Sequence, residues 1–394
     1  MERIRYGIIG MGNQGRHYAA SLFEAGLCDD AALTAICDVD EKKLAAAGAA
    51  LPKQAPARFT DHKALIESGL ADAVIVAVPH YGHPAISIDA LNAGIHVICE
   101  KPAGVYAKAV REMNEAAERS GAGFTMMFNQ RTNCLYRRMR EIIRDGGIGE
   151  LQRVTWIITD WYRNQFYYDS SSWRATWAGE GGGVLINQCP HQLDLLQWVV
   201  GEQPASVRGF CGYGRWHRIE TEDEVTAYLT YKNGATGVFV TTTGESPGTN
   251  RFEVSGTRGR LVCENGVLQY DKNREDSLAF SAAATTMFAR PGCDRIPVET
   301  DGKNPQHAGI INNFTAYLLK REPLFVDGRE GIRGVELMNA IELSGWLKGE
   351  EIALPADEDR YLAELDRHNL TSRLRETKCE AVADMSATFG SAKK

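Results

Sequence analysis

Short apolar runs alternate with amphipathic stretches through the first part of the chain. Ile4 to Ile9 and Ala31 to Cys37 read as buried strands, the second ending at Asp38. Ala73 to Val78, His96 to Cys99 and Phe124 to Phe128 are further β-rich runs. Between them the pattern turns helical, as at Gln14 to Ala25, Pro84 to Ala93 and Ala107 to Ser120. Strand–helix alternation at this spacing predicts a parallel sheet covered by helices on both faces.

The pattern then changes. Leu151 to Thr159, Ala205 to Gly212, Glu224 to Tyr231, Gly237 to Thr243, Arg251 to Ser255 and Arg260 to Cys263 follow one another as strands. Consecutive strands predict a large open, mostly antiparallel sheet in an α+β domain. Helical periodicity returns at Ala308 to Leu319 and Ile332 to Lys348. The reading is an α/β chain with a dinucleotide-binding domain over 1–128 and a substrate-binding and oligomerisation domain over 129–368. Residues 369–394 read as a polar tail, or as an arm that orders on a neighbouring subunit.

Composition supports two domains: of 394 residues 44% are hydrophobic and 24% charged, enough for two cores. The net charge of −7, without a long basic run, argues against nucleic acid as a partner. Nine cysteines without a CxxC pair point to a reduced, cytoplasmic protein with no zinc site, and no metal is expected. No apolar run reaches membrane length, and no leader precedes Ile4.

Candidate chemistry begins at Gly10-Met11-Gly12-Asn13-Gln14-Gly15, between the first strand and its helix. Gly10 allows the tight turn, Gly12 the approach of a pyrophosphate, and Gly15 close helix–strand packing. The helix start then faces the phosphates with free N–H groups. Asp38 is placed to accept from a ribose 2′-hydroxyl and to repel a 2′-phosphate, so NAD is expected and NADP disfavoured. Asp40 either joins that site or caps the helix beginning at Glu41. His80, after Ala77-Val78-Pro79, either flanks the cofactor or is a solvated loop histidine. Arg131 either sits near the cofactor or is a helix-surface charge.

Further along stand Glu100-Lys101-Pro102, Trp173-Arg174, Gly181-Gly182-Gly183, and His191-Gln192-Leu193-Asp194. Asn313-Phe314 and Leu354-Pro355 complete the pattern. Together these motifs resemble the glucose–fructose oxidoreductase/inositol dehydrogenase/MocA family over nearly the whole chain. GxGxxG alone is widely shared; Glu-Lys-Pro followed by the glycines and histidine is far more specific. The resemblance implies a Rossmann domain and an open-sheet domain used for oligomer contacts, giving a homodimer or homotetramer. It also implies oxidation or reduction of a sugar, glycoside or cyclitol hydroxyl.

By that resemblance Lys101 and His191 are the acid–base pair, with His191 titrating near neutrality. Gly10, Gly12, Asn13, Gln14, Gly15, Asp38, Pro79, His80, Glu100 and Lys101 line the cofactor. Lys101, Tyr162, Arg163, Trp173, Arg174, Asn187, His191 and His307 face the substrate. The aromatic stretch from Trp161 to Trp177 suits sugar C–H faces, or else fills an interface or core. His307 reaches the pocket or merely starts a helix. Many family members carry Asp where this chain has Asn187, an amide that cannot take a proton. Asp194 either orients His191 or anchors its helix.

Three functions fit these residues. The first is an NAD-dependent dehydrogenase acting at a secondary hydroxyl, with C3 of a hexoside taken from family analogy. The second is an NAD-dependent glycoside hydrolase working by transient oxidation and elimination. The third is a non-catalytic nucleotide-sensing regulator.

Overall fold

The structure, a computed structural model, describes residues 3–375. Among them six short strands form a parallel sheet: β1 (Ile4–Ile9), β2 (Ala31–Cys37), β3 (Ala57–Phe59), β4 (Ala73–Val76), β5 (His96–Cys99) and β6 (Phe124–Met126). Their order is β3-β2-β1-β4-β5-β6. All four residues of β4 are buried, as a strand covered on both faces requires. The chain leaves β1 in one direction for β2 and returns on its other side as β4. The loop after β1 therefore opens at the point where the strand order reverses, where such sheets bind ligands.

The second sheet holds nine strands: β7 (Leu151–Ile158), β8 (Ser206–Tyr213), β9 (Glu222–Thr230), β10 (Thr236–Thr242), β11 (Asn250–Gly256), β12 (Gly259–Glu264), β13 (Val267–Asn273), β14 (Cys293–Ile296) and β15 (Ile352–Ala353). The order is β14-β13-β12-β11-β7-β10-β9-β8-β15, antiparallel except for the parallel pair β7 and β10. The helix Gly331–Trp346 packs on β8. A Cβ on Gly209 would overlap the Ile341 carbonyl, so glycine lets the helix lie that close.

Several expected boundaries shift. β4 ends at Val76 and β6 at Met126, because the chain turns into site loops there. β3, β13, β14 and β15 lacked the long apolar runs that would have revealed them. The stretch from His368 does not start a tail: the helix Glu358–Thr371 runs through it, and Ser372 and Arg375 bond back to Glu220 and Ser172. Residues 376–394, most of the expected tail, lie outside the described residues. Asp40 is a helix cap, accepting from the Lys42 and Lys43 N–H groups at 2.9 and 3.4 Å.

Helix Gln306–Leu318 returns to the first sheet, where Tyr6 Oη and Thr315 Oγ1 lie 2.9 Å apart. Among the described residues no helix is long and apolar enough to cross a membrane.

Candidate active site

The glycine loop has the form that its sequence implies. Gly10 adopts φ +99°, and a Cβ there would overlap the Ala77 carbonyl. A Cβ on Gly15 would overlap the Gly10 carbonyl, so only glycine lets helix and turn lie this close. Gly12 is different: a Cβ there would meet nothing within 4 Å. Its backbone borders open space at the start of helix Asn13–His17, room that a pyrophosphate would fill. Asp38 braces the loop from the side, with Oδ2 accepting from the Met11 N–H at 2.7 Å and Oδ1 from the Asp40 N–H at 2.9 Å. Each oxygen keeps capacity for a ribose hydroxyl. This cradle fits a dinucleotide.

Lys101 follows β5 at the same edge of the sheet. Its Nζ donates to the Asn187 backbone carbonyl at 3.0 Å. Burial lowers its pKa below the ordinary value, against the opposing charges of Glu100 and Glu180. Glu100 itself is buried; one oxygen accepts from Tyr18 Oη and the other from the Lys101 N–H at 2.9 Å. Burial pushes its carboxyl up to about 7. Glu100 thus supports Lys101 from beneath.

Asn187 ends the short helix Val184–Asn187, and His191 stands second in the next helix, Pro190–Val200. His191 Nδ1 is buried and has no hydrogen-bond partner among the described residues, and the ring lies 6.5 Å edge-on to Phe128. Burial, then the charges of Lys101 and His307, lower its pKa well below the ordinary value. That direction runs against the expected titration near neutrality and favours the neutral imidazole. His307 is more than a helix-start residue. It lies 3.4 Å from Gln14 Nε2 and within 6 Å of the His17 and Tyr18 rings, and burial lowers its pKa to about 3.

His80 is buried rather than solvated. Its Nδ1 donates to the Glu180 carbonyl at 3.2 Å, and Trp173 meets its ring edge-on at 5.9 Å. The Arg174 guanidinium lies over both Tyr167 (4.5 Å) and Trp173 (4.8 Å), and donates to Tyr167 Oη at 2.7 Å. Arg163 covers another approach to Tyr167 at 5.2 Å, while Tyr162 is 51% exposed at the rim. Tyr167 Oη in turn donates to Asn187 Oδ1 at 3.2 Å. The aromatic stretch is therefore joined to the Lys101 loop through Tyr167, a residue that the sequence pattern did not single out.

Asp194 does not touch His191. It binds Arg131 through two bonds, Nε–Oδ2 at 2.8 Å and Nη2–Oδ1 at 2.6 Å. Glu330 is a second partner of that guanidinium. Arg131 is 1% exposed, so it is not a surface charge. The pair clamps the His191 helix to the turn after β6.

Sequence reasoning also missed Glu180 and Glu222. Glu222 accepts from the Gly183 N–H at 2.9 Å and the Leu185 N–H at 3.0 Å, anchoring the glycine bend. Isolated acids carry no pattern that would have revealed either role.

Comparison with known proteins matches this geometry. Residues 4–128 match the oxidoreductase family with an NAD-binding Rossmann fold, and residues 136–262 match the GFO/IDH/MocA C-terminal domain. The chain belongs to the Gfo/Idh/MocA oxidoreductase family. Among curated relatives, the rhizopine catabolism protein MocA of Rhizobium meliloti is 27% identical over 208 residues, covering 53% of this chain and 61% of that protein. Inositol 2-dehydrogenase of Rhizobium meliloti (strain 1021) is 24% identical over 341 residues, 86% and 95% of the two chains. Among solved structures, the WlbA dehydrogenase of Bordetella pertussis, in complex with NADH and UDP-GlcNAcA, superposes with a TM-score of 0.74 at 27% identity. That match covers 90% of this chain and all of the other. The dinucleotide cradle of this Gfo/Idh/MocA chain is accordingly an NAD site.

Proposed function

We propose that this protein oxidises or reduces a secondary hydroxyl of a sugar, glycoside or cyclitol, with Lys101 and His191 managing the proton. The observation that carries the reading is the pairing of Lys101, held by the Asn187 carbonyl, with the half-buried His191, whose Nδ1 is shut off from water, close to His307 and through it to Gln14 of the glycine loop. When bound, NAD+ supplies the hydride acceptor. The residues of this chain do the rest. Lys101 is held by the Asn187 carbonyl, and its lowered pKa favours the neutral amine that accepts a hydroxyl proton. His191 offers a second uncharged acceptor. Arg174, Trp173 and Tyr167 present hydrogen bonds and flat faces suited to a polyol. Oxidation at C3 of a hexoside rests on family analogy alone.

The relatives support the substrate class. Inositol 2-dehydrogenase and levoglucosan dehydrogenase are named for a cyclitol and an anhydrosugar, and the WlbA neighbour was crystallised with a sugar nucleotide. The test is a screen of purified protein with NAD+ against monosaccharides, glycosides and inositols, following NADH absorbance and aglycone release together. NADH formation with one class supports the reading. Aglycone release without net NADH would replace it with redox-assisted glycoside cleavage.

The same reading includes a homodimer or homotetramer. The face of the nine-stranded sheet away from the helices carries Phe210 and Tyr228, 57% and 44% exposed, beside the half-buried Val238, Val240 and Ile157. A stripe of this kind is characteristic of surfaces that associate. Light scattering of the wild type and of Tyr228→Glu tests it: the first should be oligomeric and the second dissociated.

A further inference from the structure

Asn187 is the junction of the Lys101 site. Its backbone carbonyl accepts from Lys101 Nζ, and its side-chain Oδ1 accepts from Tyr167 Oη and from Gln188 Nε2 at 3.0 Å. Its Nδ2 donates to Glu180 Oε1. Glu180 is 2% exposed, and its other oxygen accepts from the Ala175 N–H at 2.6 Å. A buried carboxylate thus stands one side chain away from the lysine, on the far side of the glycine bend.

We propose that Glu180 is a positioning residue of the acid–base site: it fixes the Asn187 amide and supplies the negative charge that keeps Lys101 titratable in place. The proposal rests on the reading of Lys101 given above. Its first support is donor–acceptor logic. An amide at 187 gives Glu180 a donor and gives Tyr167 an acceptor, which a carboxylate could not do at once. Asp at 187 would set two acids at hydrogen-bond distance, and both could not ionise. Residues 180 and 187 are therefore coupled: this pair of positions holds one carboxylate, and here it is Glu180.

The surrounding charges agree. Lys101 is faced by Glu100, Glu180, Arg174 and the Cys189 thiol, and His80, His191 and His307 all feel its charge. Glu180 is faced by Arg174 and Lys101, with Tyr168 and Glu222 behind it. Burial raises the Glu180 carboxyl above its ordinary range, against the pull of Arg174 and its hydrogen-bond donors. Without Glu180, Lys101 would face Arg174 with Glu100 as its remaining close acid.

The test compares wild type, Glu180→Gln, Asn187→Asp and the double variant. Three readouts are taken: NAD affinity, the pH dependence of Lys101 acetylation by acetic anhydride followed by mass spectrometry, and the pH profile of kcat and KM. Glu180→Gln should leave NAD affinity unchanged and move the Lys101 midpoint down by about 1 pH unit, the low end for loss of a nearby opposite charge. Asn187→Asp alone should lower kcat, and the double variant, with one carboxylate restored, should be faster than either single. An unmoved Lys101 midpoint in Glu180→Gln, or a double variant slower than both singles, overturns the proposal. If Glu180→Gln does not fold, the double variant against Asn187→Asp decides alone. Failure of the underlying reading looks different: Lys101→Ala would then turn over normally.

Discussion

Replacing Asp194 by Asn removes the charge that neutralises Arg131 inside the molecule. The side chains are 2% and 4% exposed, so water cannot take over. Two short hydrogen bonds become at most one, and the guanidinium keeps only Glu330, whose side chain is 28% exposed. Breaking a buried pair from one side costs about 3–5 kcal/mol. Because Glu330 remains, the lower end applies, about 3 kcal/mol. For a domain of this size that lowers Tm by roughly 6–12 °C, at 2–4 °C per kcal/mol. The pair itself is worth much less than its loss, since burial of both charges opposes their attraction. Arg131→Met with Asp194→Leu should therefore recover stability to within about 1 kcal/mol of wild type. Urea unfolding of the three proteins, followed by far-UV circular dichroism, measures these differences. Turnover of Asp194→Asn should fall as well, since His191 rides on the loosened helix. A loss below about 0.5 kcal/mol, the scale of an ordinary surface change, would refute the clamp.

Lys101→Ala should abolish turnover while NAD binding, measured by calorimetry, persists; lost binding with normal turnover at saturating NAD would contradict its place. His191→Asn should cost roughly 10²–10⁴ in rate, the range of a general base. The oxidation rate should rise with pH through the Lys101 pKa, which burial lowers from its ordinary value, with no limb near 6.5, because desolvation moves the His191 titration below that pH. A limb near 6.5 that vanishes in His191→Asn would reverse that assignment. Asp38→Ala should weaken NAD and raise relative tolerance of NADP, read as the ratio of kcat/KM for the two cofactors.

The first domain was legible because its information is local. β1, β2, β4 and β5 are apolar runs, and Gly10, Gly12 and Gly15 each have one steric reason visible from their spacing. Lys101 and His191 were legible through motif context. Their electrostatics were not, because burial is a property of the packed molecule: His191 looked like an ordinary histidine and His80 like a loop residue. Arg131 and Asp194 lie 63 positions apart, and Glu180 and Asn187 meet across a glycine bend. No periodicity links such pairs. The helix Glu358–Thr371 was read partly as tail because its exposed face is densely polar, with only Tyr361 and Leu365 buried.

The central claim is direct hydride transfer from a substrate carbon under the control of Lys101. Once the screen identifies a substrate, that compound deuterated at the reacting carbon is incubated with NAD+ and enzyme, and the cofactor is analysed by mass spectrometry. The account predicts one deuterium carried on the reduced nicotinamide with wild type, and none with Lys101→Ala although that variant still binds NAD. Unlabelled NADH, or equal labelling by Lys101→Ala, would contradict it.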